Sequence, residues 1–460
     1  RRSLNRKLAL VNAILLVLGA LGEVRSASGT LRLSDPEAGR VYSVYDRYRQ
    51  VGAERTGPAA RALSTIWDAA RGRGSHGLPT SDEIRVRRDS IEPLDRWVAR
   101  ATTARPPETD GQSVIVVLVE SLRADQLEAY GSPRAVMPNV DSLAREGRVF
   151  LDAYTQSSHS NYADLPPLDS HYPLRSPRMH VYPEDPPYPR VLLYDLLKRL
   201  GYRTAIFSSQ NEHWGGMANY LRTGSLDRFV HAATYEGRTY IPAGDPGFAE
   251  YARTTSRAGK IDDRATVEAA IDWIRAGGAT PFFMYMNLQN SHAPYRTPDD
   301  FPRRFGPDTV DFDLRFAVFP PEKADVVRDL YANSLAYVDH QLGKLFRALR
   351  ETGRWRNTIV VLSGDTGQAF YEHGFAAHAG PLYDEVMRVP LVIRAPEGSP
   401  ERDSTPAEHV DVPPTILDLL GLPPHPSFQG QSLLRSSRPS NGGRFLVAQS
   451  PLAHQYAVVL

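Results

Sequence analysis

Residues 114–125, VIVVLVESLRAD, decide the fold. Positions 114–119 are six consecutive apolar residues, four of them valine. A run of that length without a polar member reads as a strand buried on both faces, as in the middle of a parallel sheet. It stops abruptly at Glu120. A carboxylate at the carboxyl end of a central strand lies in the crevice where open α/β sheets bind ligands, whereas the plainer alternative is a helix cap or a solvated turn. Other strands end the same way, which favours the crevice.

Working outward, the chain repeats one unit in which a helical pattern leads into a strand. Val191, Leu192, Leu196, Leu197 and Leu200 share a helical face that Gly201 closes before a strand at 204–207. Val267, Ala270, Ile271 and Ile274 do the same before 282–288, and Leu330, Leu335, Val338, Leu342, Leu345 and Leu349 before 358–362. A short amphipathic helix over 137–147, a strand at 389–393, a helix over 411–420 and a last strand at 445–449 complete the pattern. Helices alternating with strands predict an α/β fold, a mainly parallel central sheet covered by helices on both faces. The strand ends deliver Gln210, Asn211 and His213, then Asn290 and His292, then Asp365 and Thr366 to the rim that holds Glu120. Polar groups from four strands at one rim make an active-site crevice. His373 and His378 follow the last of them.

Charge gives no partner: 54 basic against 53 acidic residues leave a net charge of +1, without the basic footprint of a nucleic-acid binder. The absence of cysteine excludes disulfides, thiolate metal sites and cysteine nucleophiles. At the start, LALVNAILLVLGAL (8–21) follows Arg1, Arg2, Arg6 and Lys7, so the basic flank lies upstream only. That asymmetry predicts a membrane helix with everything after Glu23 outside the cytoplasm, either the last of several spans or a signal anchor, with a cleaved signal peptide as the alternative. The expected organisation is an anchor at 1–26, a helical linker at 27–112 with helical pieces at 41–51 and 59–70, a catalytic domain at 113–435 and a terminal strand segment at 436–460. A Pro-rich break at 104–111 marks the boundary of the main domain.

Across 113–434 the ordered segments resemble the sulfatase-like branch of the alkaline phosphatase superfamily. VIVVLVESLRADQLEAYG with MPNVDSLAREG is similar to that branch's opening strand and helix, NSHAPY to its His-x-Pro segment, and VVLSGDTGQAFYEHG with LYDEVMRVPLVI to its metal-binding strand and the strand after it. In detail the chain resembles the membrane-anchored phosphotransferases, lipoteichoic acid synthases and phosphoethanolamine transferases. It has Glu120-Ser121 where sulfatases carry paired aspartates, and the loop Ser160, Asn161, Tyr162, Ala163, Asp164 has neither the proline nor the arginine that formylglycine formation requires. QNEHWGGMANYL is similar to those enzymes' Trp-containing pocket segment. Two departures stand out: Thr366 replaces the family histidine after Asp365, and Ala379 replaces a family lysine beside His378.

The resemblance implies an enzyme with one divalent ion on Glu120, Ser160, Asp365 and Thr366. It implies Ser160 as nucleophile, His292 and His378 as hydrogen-bond donors to the transferring group, and His213, Trp214 and Asn290 against substrate. With Thr366 in place of imidazole the ligands are oxygens, which favours Mn²⁺ or Mg²⁺, with Zn²⁺ or Ca²⁺ as alternatives; the other reading is that His373 or His378 restores a nitrogen ligand from the following loop. The implied reaction moves a phospho-alcohol group (phosphoglycerol or phosphoethanolamine) from a phospholipid or ester substrate to a lipid or glycan acceptor at the outer face of the membrane. A sulfatase or phosphodiesterase of the same fold is the alternative, and a pseudoenzyme that binds an anionic lipid or glycan is the third reading.

Overall fold

In the computed structural model, residues 94–104, 111–173, 182–184, 190–237, 259–307, 310–312, 314, 319–378 and 380–434 are described, with four further strands as backbone. The strand at the centre of the chain's pattern is β1 (Ser113–Val119), and all of its residues are buried. In chain order it is followed by β2 (Arg148–Phe150), β3 (Arg203–Ser208), β4 (Arg228–Val230), β5 (Phe282–Leu288), β6 (Thr358–Gly364), β7 (Leu391–Arg394) and β8 (Glu401–Asp403). These form one eight-stranded sheet in the order β8-β2-β7-β6-β1-β5-β3-β4. β1 pairs parallel with β5 on one side and β6 on the other, Val116 facing Tyr285 and Val361. β3 and β4 continue the parallel run, and β7 alone is reversed, antiparallel to both β6 and β2.

Because successive strand residues point to opposite faces, β1 feeds two cores. Ile115, Val117 and Val119 pack with α2 (Pro138–Glu146), α4 (Asp263–Ala276) and α5 (Ala324–Glu351). Val114, Val116 and Leu118 pack on the other face with α1 (Leu94–Ala104), α3 (Leu193–Arg199) and α6 (Val412–Leu419). The mainly parallel sheet with helices on both faces is therefore as read from the sequence.

Several boundaries and elements differ. β3 and β6 run longer than 204–207 and 358–362, because polar Ser208, Ser363 and Gly364 continue the ladder by backbone pairing that apolar patterning cannot signal. β2, β4 and β8, of three residues each, are too short for a periodic signal. Inside the region read as a linker, α1 docks Trp97 and Ala101 into the second core, and the Trp97 indole donates to the Pro423 carbonyl at 3.1 Å. Glu23–Ser26 and Gly29–Arg32 pair as an antiparallel hairpin where an anchor end and a helical linker are expected. The last expected strand is half of a second such pair, Leu446–Ser450 with Gln455–Val459.

The apolar run at 8–21 and the helical pieces at 41–51 and 59–70 lie outside the described residues. Among the described residues no helix is long and apolar enough to cross a membrane. The chain divides into two units, Arg1–Gly77 and Leu78–Leu460. The second holds the sheet.

Where β6 ends, the backbone must pass close to the segment that leaves β1. A Cβ placed on Gly364 would stand 2.4 Å from the Leu122 carbonyl oxygen. Neither backbone can yield without shifting the sheet edge, so Gly364→Ala is expected to lower unfolding free energy by about 1–3 kcal/mol in urea denaturation, the usual range for overpacking. Wild-type stability in that variant would show the edge to be looser than this.

Candidate active site

The crevice is built by sewing three strand ends together just past the sheet. The Glu120 amide donates to Leu288 at 2.9 Å and the Asp365 amide to Val119 at 3.3 Å, so the segments after β1, β5 and β6 leave side by side. The chain then turns sharply at Ser121, whose φ of 56° is left-handed and costly for a residue with a Cβ. Three bonds hold it there. The Ser121 amide donates to Asp365 Oδ1 at 2.7 Å, the Tyr331 hydroxyl donates to the Ser121 carbonyl at 2.6 Å, and the Arg123 amide donates back to that hydroxyl at 3.1 Å. The turn aims the buried Glu120 carboxylate into the crevice.

Glu120 accepts from Gln289 Nε2 at 2.8 Å and from the Ser121 hydroxyl at 3.0 Å. It lies 3.5 Å from His378 Nε2. One ligand atom each from Glu120, His292 and His378, all three buried, lie within 4.8 Å of one another. His292 and His378 meet edge to face with ring centres 5.5 Å apart. The sequence therefore placed both in the crevice correctly, while His373 lies outside it, exposed, stacked on Tyr383 and bonded to Glu385.

Asp365 is present but differently employed. Its Oδ1 takes the amides of Ser121 and Thr366, at 2.7 and 2.6 Å, and it is not one of the three groups around Glu120. The hydroxyl of Thr366, an expected ligand, donates to the Gly367 carbonyl at 3.0 Å. Ser160, also buried, opens the helical turn Ser160–Ala163, and its hydroxyl approaches Asp365 closely enough to favour the aspartate anion. Asp164, at the end of that turn, accepts from Asn287 Nδ2 at 3.0 Å through Oδ2, while its buried Oδ1 has no hydrogen-bond partner.

Of the residues expected against substrate, Trp214 stacks on His159, next to the nucleophile candidate, with ring centres 5.3 Å apart. His213 is exposed and sits 5.2 Å from the His231 ring. Asn290 is turned inward instead: its Oδ1 accepts the Asp263 amide at 2.8 Å while the Asp263 carboxylate accepts the amides of Gln289 and Asn290, at 2.8 and 3.0 Å. That exchange locks the start of α4 to the loop carrying His292.

Two functional candidates escaped the sequence reading. Gln289 donates to Glu120 and to Asn287 Oδ1, and accepts from Lys260. Being the first polar residue after β5, it obeyed the rule that singled out Glu120 and could have been found. Lys260 is fully buried between the same carboxylates, and nothing in its surroundings, Gly259 and Ile261, distinguishes it from a surface lysine.

Burial pushes Lys260 down to about 8 against the pull of Glu120, Asp365, Asp263 and Asp164. Burial, with Lys260 nearby, also pushes His292 well below and His378 below the ordinary histidine range, so both imidazoles are neutral. Burial works to raise Glu120, but its surroundings win and hold it below the carboxylate range. With the imidazoles neutral, that duty falls to Lys260 and the Gln289 amide. Asp365 and Asp164 go the other way, raised well above the usual range by burial and by neighbouring carboxylates. Packed carboxylates cannot all ionise, and Glu120 is the one that stays charged.

A buried carboxylate facing two neutral imidazoles fits a divalent cation, with Glu120, His292 and His378 as the residues to hold it. Asp164 Oδ1 and Asp365 add oxygen nearby.

The fold is similar to that of solved proteins of the alkaline phosphatase superfamily. A superfamily member from Vibrio parahaemolyticus superposes with a TM-score of 0.55 at 18% identity over 77% of this chain and 80% of the other. The phosphonate monoester hydrolase of Agrobacterium radiobacter gives 0.55 at 21% over 73% and 80%. The lipoteichoic acid synthase LtaP of Listeria monocytogenes gives 0.51 at 18% over 73% and 76%. Residues 112–422 match the Sulfatase family, and the chain belongs to it. Among curated relatives, arylsulfatase K of Bos taurus is 26% identical over 399 residues, covering 74% of this chain and 71% of that protein. An ulvan-active sulfatase of Formosa agariphila is 24% identical over 363 residues, covering 73% and 56%. Family membership puts the chain among enzymes of sulfate- and phosphate-ester chemistry.

The left-handed Ser121 depends on one hydroxyl. Tyr331→Phe strands the Ser121 carbonyl and the Arg123 amide without filling or emptying space, and is expected to cost about 1–3 kcal/mol in denaturant unfolding, the penalty of unmade buried hydrogen bonds. An unchanged midpoint would mean that the turn holds itself.

Proposed function

We propose that the protein transfers a phospho-alcohol group, phosphoglycerol or phosphoethanolamine, from a phospholipid donor to a lipid or glycan hydroxyl through a covalent ester on Ser160. The observation that carries this reading is the buried Ser160 beside Asp365, in a loop where Asp164 stands at the place of the formylglycine motif's arginine. Without the proline and arginine of that motif the serine is not a substrate for oxidation, and it stays an alcohol. The location proposed is the outer face of the membrane, on the strength of the apolar run at 8–21 and its basic upstream flank.

An alcohol is a weak nucleophile until a neighbouring base takes its proton. Asp365, its affinity for protons raised by burial and by Glu120, acts as the base from its ionised form, the form that the Ser160 hydroxyl favours. Ser160 Oγ bonds to phosphorus as the bond to the donor's alcohol breaks, the serine proton passing to Asp365 and the departing oxygen taking one from the Lys260 ammonium. A group titrating at about 8 is well matched to such work near neutrality. In the second half the acceptor hydroxyl gives its proton to Lys260 and attacks phosphorus, and Asp365 returns the proton to Ser160. A divalent cation held by Glu120 and its neighbours would supply positive charge to the phosphoryl oxygens. The neutral imidazoles of His292 and His378 present lone pairs rather than protons, so this scheme replaces their expected role as donors.

Sulfate-ester hydrolysis is the second reading, favoured by relatives that are named sulfatases. Steady-state assays with a phosphodiester and an aryl sulfate separate the two. Ser160→Ala is expected to lower phosphodiester kcat by about 10³-fold or more, as loss of a nucleophile does. Lys260→Met is expected to lower kcat/KM by about 10²–10³-fold, the usual effect of removing a transition-state charge partner. Robust aryl sulfate turnover by the wild type, or full phosphodiester turnover by Ser160→Ala, contradicts the proposal.

A further inference from the structure

Oxygen-only coordination is what the residue pair Asp365-Thr366 implies. We infer that this chain instead holds its metal on two imidazoles, with His292 and His378 joining Glu120 in a nitrogen-rich site of the zinc type. The inference rests on the crevice being a metal-dependent active site. It concerns which side chains bind the ion.

Both histidines are oriented as ligands are. His292 Nδ1 lies 2.7 Å from the Ala293 carbonyl, which can only accept, so the proton is on Nδ1 and the lone pair on Nε2. His378 Nδ1 lies 3.1 Å from Gln368 Oε1, and Gln368 is in turn fixed by donating its Nε2 to the Tyr295 hydroxyl at 2.7 Å. A carbonyl or amide oxygen on Nδ1 that sets the tautomer and swings Nε2 toward the ion is the usual outer support of a metal-bound histidine. His378 Nε2 is 3.5 Å from Glu120 Oε1. Two donors about 2 Å from one tetrahedral ion stand roughly 3.3 Å apart, so that pair is already at ligand spacing. All three donor atoms lie within 4.8 Å, a span that small side-chain rotations close.

An oxygen-only site has less support in the crevice. The Thr366 hydroxyl gives its proton to Gly367 and Asp365 Oδ1 receives two amides, which leaves the buried Asp365 Oδ2, without a hydrogen-bond partner, as an added oxygen beside the imidazoles. The lost imidazole is replaced from other segments, by His292 four residues past β5 and by His378 14 residues past β6, not by a neighbour of Asp365. The oxygens of Asp365, Asp164 and Ser160 remain in the crevice for proton transfer.

The test uses the full chain stripped of metal with a chelator and titrated by calorimetry with zinc, manganese or magnesium salts. Zinc outranks manganese at most sites, so rank alone decides nothing and dependence on the imidazoles decides. His292→Gln and His378→Gln are each expected to weaken zinc binding by about 10–100-fold, while Thr366→Val changes it by less than about 2-fold. X-ray absorption on the zinc-loaded wild type is expected to show two imidazole shells, and it stands if a variant fails to fold. Zinc affinity intact in both glutamine variants, or an all-oxygen shell in the wild type, overturns the inference. Zinc bound on imidazoles in a protein that turns over no phosphodiester would leave this inference standing and sink the proposed reaction.

Discussion

Everything in the crevice depends on keeping one buried carboxylate charged. Glu120 sits at the end of a strand whose seven residues are all buried, where water cannot solvate an anion. An unaided carboxylate there would take up a proton. It stays ionised because Gln289 and Ser121 donate to it and Lys260 supplies a buried counter-charge. The strain at Ser121, the capping exchange between Asp263 and Asn290, and the bridge from Lys260 through Gln289 all serve to hold those donors in place.

The same constraint divides labour among the acids. Once Glu120 carries the charge, burial and the neighbouring carboxylates raise the proton affinity of Asp365 and Asp164, which turns them from ion-pair partners into groups that exchange protons. Asp365 faces both ways. It braces the Ser121 turn with one oxygen and lies beside Ser160, so the backbone strain and the proposed nucleophile share a residue.

Much of this was legible in the chain. The valine run, the helix-then-strand repeats and the polar strand ends were sufficient for the sheet, its two helical layers and the gathering of Glu120, His292 and Asp365, since a parallel strand ends at the ligand-binding edge, whereas His378 came only from the family resemblance. Three things were not legible. Strands of three residues such as β4 carry too little pattern to see. Lys260 reaches the crevice from the segment that leads into α4, and no local feature marks a lysine that tertiary structure will bury. The grouping of Glu120 with His292 and His378 was not legible because the two imidazoles arrive from separate loops, which no spacing along the chain relates.

The central claim is that this crevice makes and breaks a bond to Ser160, and intact-mass spectrometry of the full chain after brief incubation with phosphatidylglycerol or phosphatidylethanolamine tests it most directly. The account expects a species heavier by one phospho-alcohol group, mapped by peptide fragmentation to Ser160 and discharged on adding an acceptor alcohol. An adduct on any other residue, or turnover of the lipid with no adduct at Ser160 under rapid quench, would contradict it.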